Sequence, residues 1–218
     1  MKHIVKGEEP QDLQHWKSSA NENWQPTWDG LPGPVKRNLH SALMTEQGFI
    51  CCYCGKRVSD ADSHIEHFKP QVPCEADALA YANLLCSCQR QTERREPLHC
   101  GKLKDNWYDE HLLVSPLAAD CEAHFRFAGD GSIYARQEGD QAVRQTIDRL
   151  GLDIPKLRAI RSKAIEGVTR DMDNLSSDDL RLLIAVLSER DEAGQYAECC
   201  FAVVHVLKTL IPVTQQPG

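Results

Sequence analysis

The chain has 218 residues, a length that allows one ordinary domain or one small domain with an appended module. Its residues are 41% hydrophobic and 26% charged, which is typical of a globular protein and excludes a disordered one. The formal net charge of −7 excludes a protein that binds nucleic acid through overall positive charge. The first residues lack the apolar stretch of a secretory signal, so we expect a cytoplasmic protein. No uninterrupted apolar run reaches the roughly 20 residues of a membrane span.

The first half of the chain predicts two helices followed by short strands. A short helix is expected at 11–19, and a second one from Pro34 to Met44, because proline is favoured in a first turn and Val35, Leu39 and Leu43 fall on one stripe. Residues 49–105 predict short strand-like pieces around cysteines. This middle region can bury little apolar surface, so we expect it to need a cross-link.

The second half predicts a β-hairpin and then helices. The hairpin is expected within 121–137, around a Gly-Asp-Gly turn. One helix is expected to end at Gly151, the next to begin at Pro155, a third to be capped by Ser176 or Ser177, and the last to span about 196–211. These elements predict an α+β fold with a helical C-terminal region. We expect segments at 1–48, 49–120 and 121–218.

Ten cysteines are the most informative part of the composition. In a reducing compartment, clustered cysteines indicate a metal site more often than disulfides. Most of them lie within about fifty residues of one another, at Cys51, Cys52, Cys54, Cys74, Cys86, Cys88 and Cys100. The others are Cys121, Cys199 and Cys200.

The pair Cys51 and Cys54 has the two-residue gap of a zinc knuckle. A redox role would require a strand–CxxC–helix arrangement, which this region lacks. Cys88 and Cys100 are the best second pair, although Cys86 could replace Cys88 and His99 could replace Cys100. We interpret Cys74, Cys121, Cys199 and Cys200 as free thiols.

Between the two cysteine pairs lies the segment His64-Ile65-Glu66-His67. Adjacent residues of a strand point to opposite sides, so Glu66 can bind a metal ion while His67 contacts a water. A carboxylate binds a hard divalent ion such as Mg²⁺, and a histidine of near-neutral pKa can deprotonate a nucleophilic water. Residues 51–105 carry eight Lys or Arg against eight Asp or Glu, so phosphate contact is tolerated there more readily than elsewhere. In isolation the fragment would be interpreted as ordinary surface His and Glu residues, but its place between two cysteine pairs favours hydrolysis of a phosphodiester.

These motifs together resemble an HNH endonuclease of the ββα-metal type. The resemblance rests on Cys51-x-x-Cys54, His64-Ile-Glu66-His67-Phe-x-Pro70, Asn83-Leu-Leu-x-x-Cys88, His99-Cys100-Gly101 and Lys104. The opening of the chain, Glu46-Gln47-Gly48 and the segment from Gln145 to Leu152 are similar to one branch of that family. That branch is the HNH protein of Septu anti-phage systems and of retron-associated defence cassettes.

The resemblance implies a role for each matching residue. His67 would be the general base and Glu66 a ligand of a catalytic Mg²⁺ or Mn²⁺. Asn83 would brace the loop of a small ββα-metal core, and a structural Zn²⁺ would be bound by Cys51, Cys54, Cys88 and Cys100. The third ligand of the catalytic metal is open between His64, His99 and Asp105, because an insertion separates Cys88 from Cys100 and Gly101 follows the second cysteine.

The resemblance also implies partners. The substrate would be nucleic acid, either DNA or tRNA, and the effector nuclease would act with an SMC/ABC-like ATPase, in some systems beside a retron reverse transcriptase complex. The acidic helical tail would then be a docking surface, and no membrane would be involved. The alternative is a zinc-stabilised module that recruits nucleic acid or an ATPase without catalysis, which would not require the Glu66-His67 pair.

Overall fold

A computed structural model describes residues 1–71, 77–170, 172 and 175–212 of the chain. Helices surround two small antiparallel sheets, so the fold is of the predicted α+β class. The helices are α1 (Gln11–Ser18), α2 (Gly33–Glu46), α3 (Gly101–Lys104), α4 (Gln141–Arg149), α5 (Pro155–Thr169), α6 (Ser177–Ser188) and α7 (Cys200–Leu210). The strands are β1 (Ser63–His67), β2 (Leu84–Cys88), β3 (Phe125–Phe127) and β4 (Ile133–Ala135).

The two predicted N-terminal helices are confirmed as α1 and α2. Pro34 occupies the first turn of α2, where its missing N–H costs no intrahelical hydrogen bond. The buried face of α2 includes Leu39, Leu43 and Met44, and it packs against β1 and β2. Gly48 follows α2 with a φ of +60°, which only glycine adopts without strain.

Strands β1 and β2 form the sheet that carries the site. They pair antiparallel, with Ser63 opposite Cys88 and His67 opposite Leu84. A single 3-10 turn, Tyr81–Asn83, leads directly into β2, every residue of which is buried. The short helix α3 comes after β2 and the insertion 89–99, so the chain order in this region is strand, strand, helix.

The predicted hairpin is confirmed as β3 and β4, with Phe125 opposite Ala135. It is shorter than expected, because Cys121–His124 form a 3-10 turn and not a strand. At the tip, the Asp130 carboxylate accepts hydrogen bonds from the Ser132 backbone N–H and hydroxyl, and Gly131 has a φ of +80°. The Gly-Asp-Gly turn was therefore located correctly.

Three of the four C-terminal helices follow the sequence prediction closely. Gly151, with a φ of +57°, ends the α4 region, and Pro155 begins α5. Ser176 is the residue that caps α6: its side chain accepts from the Asp179 N–H while the Asp179 carboxylate accepts from the Ser176 N–H.

The expected start of the last helix near residue 196 is wrong. Helix α7 begins at Cys200, because Cys199 is in the left-handed region with a φ of +55°. The segment before it is held against the Cys51–Cys54 turn: the N–H of Tyr196 donates to the Gly48 carbonyl and that of Cys199 to the Gly55 carbonyl. These tertiary hydrogen bonds replace the helical ones that the apolar pattern predicted.

One apolar core runs through all three predicted segments. It contains buried residues from α1, α2, the cysteine region, the hairpin, α4, α5 and α7, for example Leu13, Leu43, Leu84, Phe125 and Ala202. A second cluster joins α5 to α7 through Ile165, Val203 and Leu207. Within the described residues, no helix has both the length and the apolar character required to cross a membrane.

Candidate active site

Strand β1 places the site residues on its two faces. Successive side chains of a strand point to opposite sides, so His64 and Glu66 share one face and His67 lies on the other. Glu66 is buried, whereas His64 and His67 are partly exposed. The buried Glu66 carboxylate and the more accessible His67 imidazole therefore belong to adjacent residues and lie on opposite faces of the strand.

Two donors bind one oxygen of the Glu66 carboxylate. The Lys104 ammonium lies 3.0 Å from Oε1, and the Tyr53 hydroxyl donates to the same oxygen at 3.1 Å. The second oxygen, Oε2, faces His64 Nε2 at 3.6 Å. The Lys104 side chain is fully buried, and its ammonium also donates to the backbone carbonyls of His67 and Asp105.

Gly101 brings α3 close enough for Lys104 to reach that carboxylate. A Cβ atom at this residue would strike Glu66 Oε2 and would lie 3.0 Å from His64 Nε2. The Gly101 N–H donates to the Ser87 hydroxyl of β2, which fixes the start of the helix on the sheet. Glycine is thus required here for close approach and not for backbone conformation.

The pair of Glu66 Oε2 and His64 Nε2 fits a divalent ion. Adjacent ligands of an octahedral Mg²⁺ lie about 3 Å apart and opposite ones about 4 Å apart, so a separation of 3.6 Å allows both atoms to bind one ion. His64 Nδ1, the ring nitrogen that does not face Glu66, is buried and has no hydrogen-bond partner among the described residues. The Lys104 ammonium on the same carboxylate opposes a second cation, so two side chains alone make a weak site.

The three candidates for the third metal ligand lie in different places. His64 is beside Glu66. His99 lies instead against the cysteines, with Nδ1 at 3.3 Å from Cys100 Sγ and 3.7 Å from Cys88 Sγ. Asp105 is exposed at the end of α3 and contributes its backbone carbonyl to Lys104. The geometry therefore favours His64.

The hydrogen bonds of His67 define which ring nitrogen can accept a proton. Nε2 lies 3.0 Å from the Ala78 carbonyl oxygen, which can only accept, so Nε2 carries the hydrogen. Nδ1 then carries the lone pair, which the Gln71 amide nitrogen approaches as a donor at 3.4 Å. The Trp28 ring packs edge-on against the imidazole at 4.4 Å between centroids. Burial lowers the pKa of His67, which favours the neutral imidazole.

Asn83 connects the two ends of the loop between β1 and β2. Its Oδ1 accepts from the Lys69 N–H at 2.8 Å, and its Nδ2 donates to the carbonyls of Lys69 and Asp77. Its own carbonyl accepts from the Phe68 N–H. Asn83 is buried and makes these bonds to backbone groups, so it fixes the chain directly after His67.

Four buried cysteines form the second centre. The sulfur atoms of Cys51, Cys54, Cys88 and Cys100 all lie within 4.8 Å of one another. The 3.7 Å between Cys54 Sγ and Cys88 Sγ is far longer than a disulfide and equals the edge of about 3.8 Å expected of a tetrahedral zinc–thiolate site. The cluster is therefore able to bind a metal ion and is compatible with zinc.

Polar groups around the cluster favour thiolate at Cys51, whereas burial and the neighbouring thiols raise the pKa of Cys100 well above its usual value. Burial opposes ionisation at Cys51, but donors led by the Cys100 thiol hold its pKa well below the usual value. The Cys88 N–H lies 3.4 Å from Cys51 Sγ, and the His99 ring contacts two of the sulfurs from outside the cluster. The group of sulfur atoms that could hold an ion includes Cys100, and His99 lies beside that group.

The remaining described cysteines are buried free thiols. Cys86, the alternative to Cys88, lies 3.7 Å from His40 Nε2 and is outside the four-sulfur cluster. Burial raises the pKa of Cys86 to about 12 and that of Cys121 to about 11, so both are neutral at pH 7. Cys74 lies outside the described residues.

The sequence alone did not predict the roles of several residues in the site. Lys104 and Gly101 belong to the motif that carries the resemblance, but a pattern does not show which lysine is buried. Tyr53 stands between the knuckle cysteines, where its reach across to Glu66 depends on the tertiary fold. Trp28 lies outside the motif, and it packs against His67.

No protein-family model matches the chain. A search of curated proteins finds a relative in Vibrio cholerae serotype O1 biovar El Tor named "Retron Vc95 putative HNH endonuclease", 34% identical over 139 residues. The alignment covers 61% of this chain and 65% of the relative, so the chain spans just under two thirds of the length of the curated protein that it matches. This similarity confirms the resemblance to retron-associated HNH endonucleases.

Proposed function

We propose that the chain is a metal-dependent HNH endonuclease that hydrolyses phosphodiester bonds of nucleic acid. The observation that carries the proposal is the orientation of His67, whose Nε2 is committed to the Ala78 carbonyl while Nδ1 keeps its lone pair at the partly exposed end of β1. A carboxylate and a second imidazole lie on the opposite face of the same strand. The strand–strand–helix order of β1, β2 and α3 supports a ββα-metal core.

In this proposal His67 Nδ1 takes the proton of the attacking water. The Ala78 carbonyl holds the tautomer, and the Trp28 ring and the Asn83 bridge hold the orientation. Glu66 Oε2 and His64 Nε2 would bind Mg²⁺ or Mn²⁺. Such an ion supplies stabilisation of the negative charge that develops on the phosphate and the leaving oxygen. Since Mg²⁺ commonly keeps waters and substrate phosphates as ligands, two protein ligands are sufficient for this role.

The four-cysteine cluster would hold a structural Zn²⁺. Cys51 and Cys54 lie in the turn before β1, Cys88 ends β2 and Cys100 immediately precedes α3. One ion bound by all four would connect every element of the candidate core. Such sites contribute directly to folding in small domains with little apolar sequence.

The biological setting is also part of the proposal. The retron in the relative's name supports an effector of an anti-phage defence system of the retron or Septu kind. The partner would be an SMC/ABC-like ATPase, in retron systems together with the reverse transcriptase complex. Residues 106–218 carry twelve Lys or Arg against eighteen Asp or Glu, which suits a docking surface for a basic partner. The buried free thiols suit a reducing cytoplasm.

Cleavage of supercoiled plasmid and of tRNA with Mg²⁺, with and without the ATPase partner, tests the proposal. We expect His67→Ala to lower the rate about 100-fold or more, since general-base catalysis contributes about 10² to 10⁴. His111→Ala is the matched control, because the His111 side chain is 86% exposed and contacts Glu110, which is not a residue of the site. If His67→Ala cuts as fast as the unaltered chain, the proposed mechanism is wrong.

A second function, a zinc-stabilised binding module without catalysis, is favoured by one observation. Lys104 already neutralises the Glu66 carboxylate, as a purely structural ion pair would. In that case the unaltered chain would bind the ATPase or nucleic acid but would cut no substrate with Mg²⁺ or Mn²⁺ in the presence of the partner. The two functions are thus separated by the same cleavage assay.

A further inference from the structure

A groove of about 480 Å³ lies between α2 and the unpaired edge of β1. Its walls include Trp28 before α2, Lys36 and Arg37 on α2, His64 on β1, and Asp60 and Arg90 at one end. Within the described residues β1 pairs with β2 alone, and Ser63, His64 and Ile65 of β1 line this groove. None of the groove's charged residues belongs to the proposed catalytic or zinc sites.

The groove is positively charged although the chain is acidic. Lys36, Arg37 and Arg90 are all exposed, and within the described residues none of the three forms an ion pair with a carboxylate. The acidic residue in the wall is Asp60, and its carboxylate lies 3.1 Å from His40 Nδ1. Three cations in one groove of a chain with a net charge of −7 form a local site for a polyanion.

The groove leads to the proposed reacting groups. His64, a candidate metal ligand, is part of its wall. Trp28 also lines it and contacts the His67 ring at 4.4 Å, while the Lys36 ammonium lies over the Trp28 ring at 4.4 Å. A ligand that lies along Lys36 and Arg37 therefore passes beside both His64 and the residue that orients His67.

We propose that this groove binds the phosphate backbone of one nucleic-acid strand next to the cleavage site, through Lys36, Arg37 and Arg90. The inference rests on the proposed nuclease function, because a phosphodiester is the anion on which His67 would act. Exposed lysine and arginine side chains grip phosphates without reading sequence, so the contact positions the strand and does not select it. An acidic peptide would satisfy the same charges but would have no use for the neighbouring imidazoles.

Binding of a labelled oligonucleotide of about 20 nucleotides, as single-stranded DNA and as RNA, tests the groove by fluorescence anisotropy. The measurements use the full chain with His67→Ala, so that cleavage does not interfere, and a series of KCl concentrations. We expect Lys36→Glu together with Arg37→Glu to weaken binding at least about tenfold. The slope of log affinity against log salt should fall by about 1.4, which is about 0.7 for each lost phosphate contact.

The matched control is Lys163→Glu with Arg170→Glu, the same charge change on exposed residues of α5 and its C-terminus. We expect it to change affinity less than about twofold. Arg37→Gln leaves the contact between Lys36 and Trp28 intact. This variant should lower the slope of log affinity against log salt by about half as much as the double variant does. Thermal unfolding of each variant checks that the fold is kept.

The proposal is overturned if the groove and control variants weaken binding equally, if neither weakens it, or if the chain binds no oligonucleotide at low salt. These results are independent of catalysis. If the groove variants lose binding but His67→Ala still cuts, the groove proposal stands and the proposed mechanism is wrong. If His67 is required for cutting but the groove variants bind normally, the mechanism stands and the groove proposal is wrong.

Discussion

Lys104 places a positive charge directly beside Glu66, a candidate metal ligand. Its ammonium and the Glu66 carboxylate are both buried, 3.0 Å apart. Removing one partner of such a pair leaves an uncompensated charge, which costs about 3–5 kcal/mol of unfolding free energy. If Glu66 Oε2 binds a divalent ion as proposed, the same removal would end the repulsion between the ammonium and that ion. Lys104 would then stabilise the fold and oppose metal binding.

We expect Lys104→Met to lower the Tm by about 6–15 °C without divalent ions. Added Mn²⁺ should restore a larger part of the Tm in this variant than it adds to the unaltered chain, because the ion can replace the lost positive charge. Differential scanning calorimetry over a Mn²⁺ series measures both effects. Lys102→Met, on the exposed face of the same short helix, is the control and should change neither. A variant that is destabilised but insensitive to Mn²⁺ would show that Glu66 is structural only.

Gly101 provides a steric test of the same site. A methyl group there has no free space beside Glu66 Oε2 and His64 Nε2, so Gly101→Ala must push α3 away from β1. We expect a loss of about 1–3 kcal/mol in unfolding free energy, as for other overpacked sites, and a loss of cleavage greater than stability alone explains. Urea unfolding and the cleavage assay measure the two losses.

Gly167→Ala is the matched control for this substitution. Gly167 lies within α5, and among the described residues no atom beyond its chain neighbours and the backbone of its own helix lies within 4 Å of the Cβ that alanine would add. Alanine should therefore stabilise the helix by up to about 1 kcal/mol without affecting cleavage. Equal behaviour of the two variants would contradict a close approach of α3 to Glu66.

At the scale of the elements, the four-cysteine cluster brings together the turn before β1, the end of β2 and the start of α3. We expect Cys88→Ser to lose the bound zinc and to unfold cooperatively only at a much lower denaturant concentration, because zinc binding supplies folding free energy to such sites. Cys86→Ser changes the same strand two residues earlier, at a thiol outside the cluster, and should keep the zinc. Metal content per purified chain measures the difference. Loss of zinc from Cys86→Ser, with Cys88→Ser unaffected, would reverse the ligand assignment.

Sequence predicted most of these elements because their signals are local. The spacing of Cys51 and Cys54 fixes a tight turn, proline and Ser176 mark helix starts, and Gly131 marks the hairpin tip. Local sequence signals could not decide whether Cys100 or His99 belongs to the cluster, because the two residues are adjacent and both are buried there. The fold shows that the imidazole lies outside the group of four sulfur atoms. Cys86 and Cys88 were likewise separated only by the fold.

The errors have a common physical cause. An apolar run near residue 196 predicts helix, but hydrogen bonds to Gly48 and Gly55 hold the chain in a non-helical path as far as Cys199. The sequence also did not predict that Lys104 would pair with Glu66, because the pairing depends on how the four-residue helix α3 packs on β1. In both cases the outcome depends on contacts between residues distant in the chain, which in the first case override local helix propensity.

At the scale of the whole molecule, the C-terminal region is fastened to the cysteine turn. The Arg57 N–H donates to the Glu198 carboxylate at 2.8 Å, and the Cys199 N–H donates to the Gly55 carbonyl at 2.9 Å. A Cβ at Gly55 would strike the Phe201 ring, so the first turn of α7 rests directly on this turn. The acidic region proposed to dock a partner is thus mechanically continuous with the candidate zinc site.

This continuity predicts that removing a bound zinc ion would destabilise the start of α7. Without the metal the Cys51–Cys54 turn loses its fixed shape, and the hydrogen bonds and ring contact that begin α7 lose their support. We expect a chelator to raise amide hydrogen exchange about tenfold or more in the first turns of α7, near Ala202 and Val203, while the chain remains folded. Helix α1 is the internal control, because it packs on α2 near the start of the chain, so its exchange should change little. An equal rise in both helices would indicate global unfolding, and no rise in α7 would show that the two regions are stabilised independently.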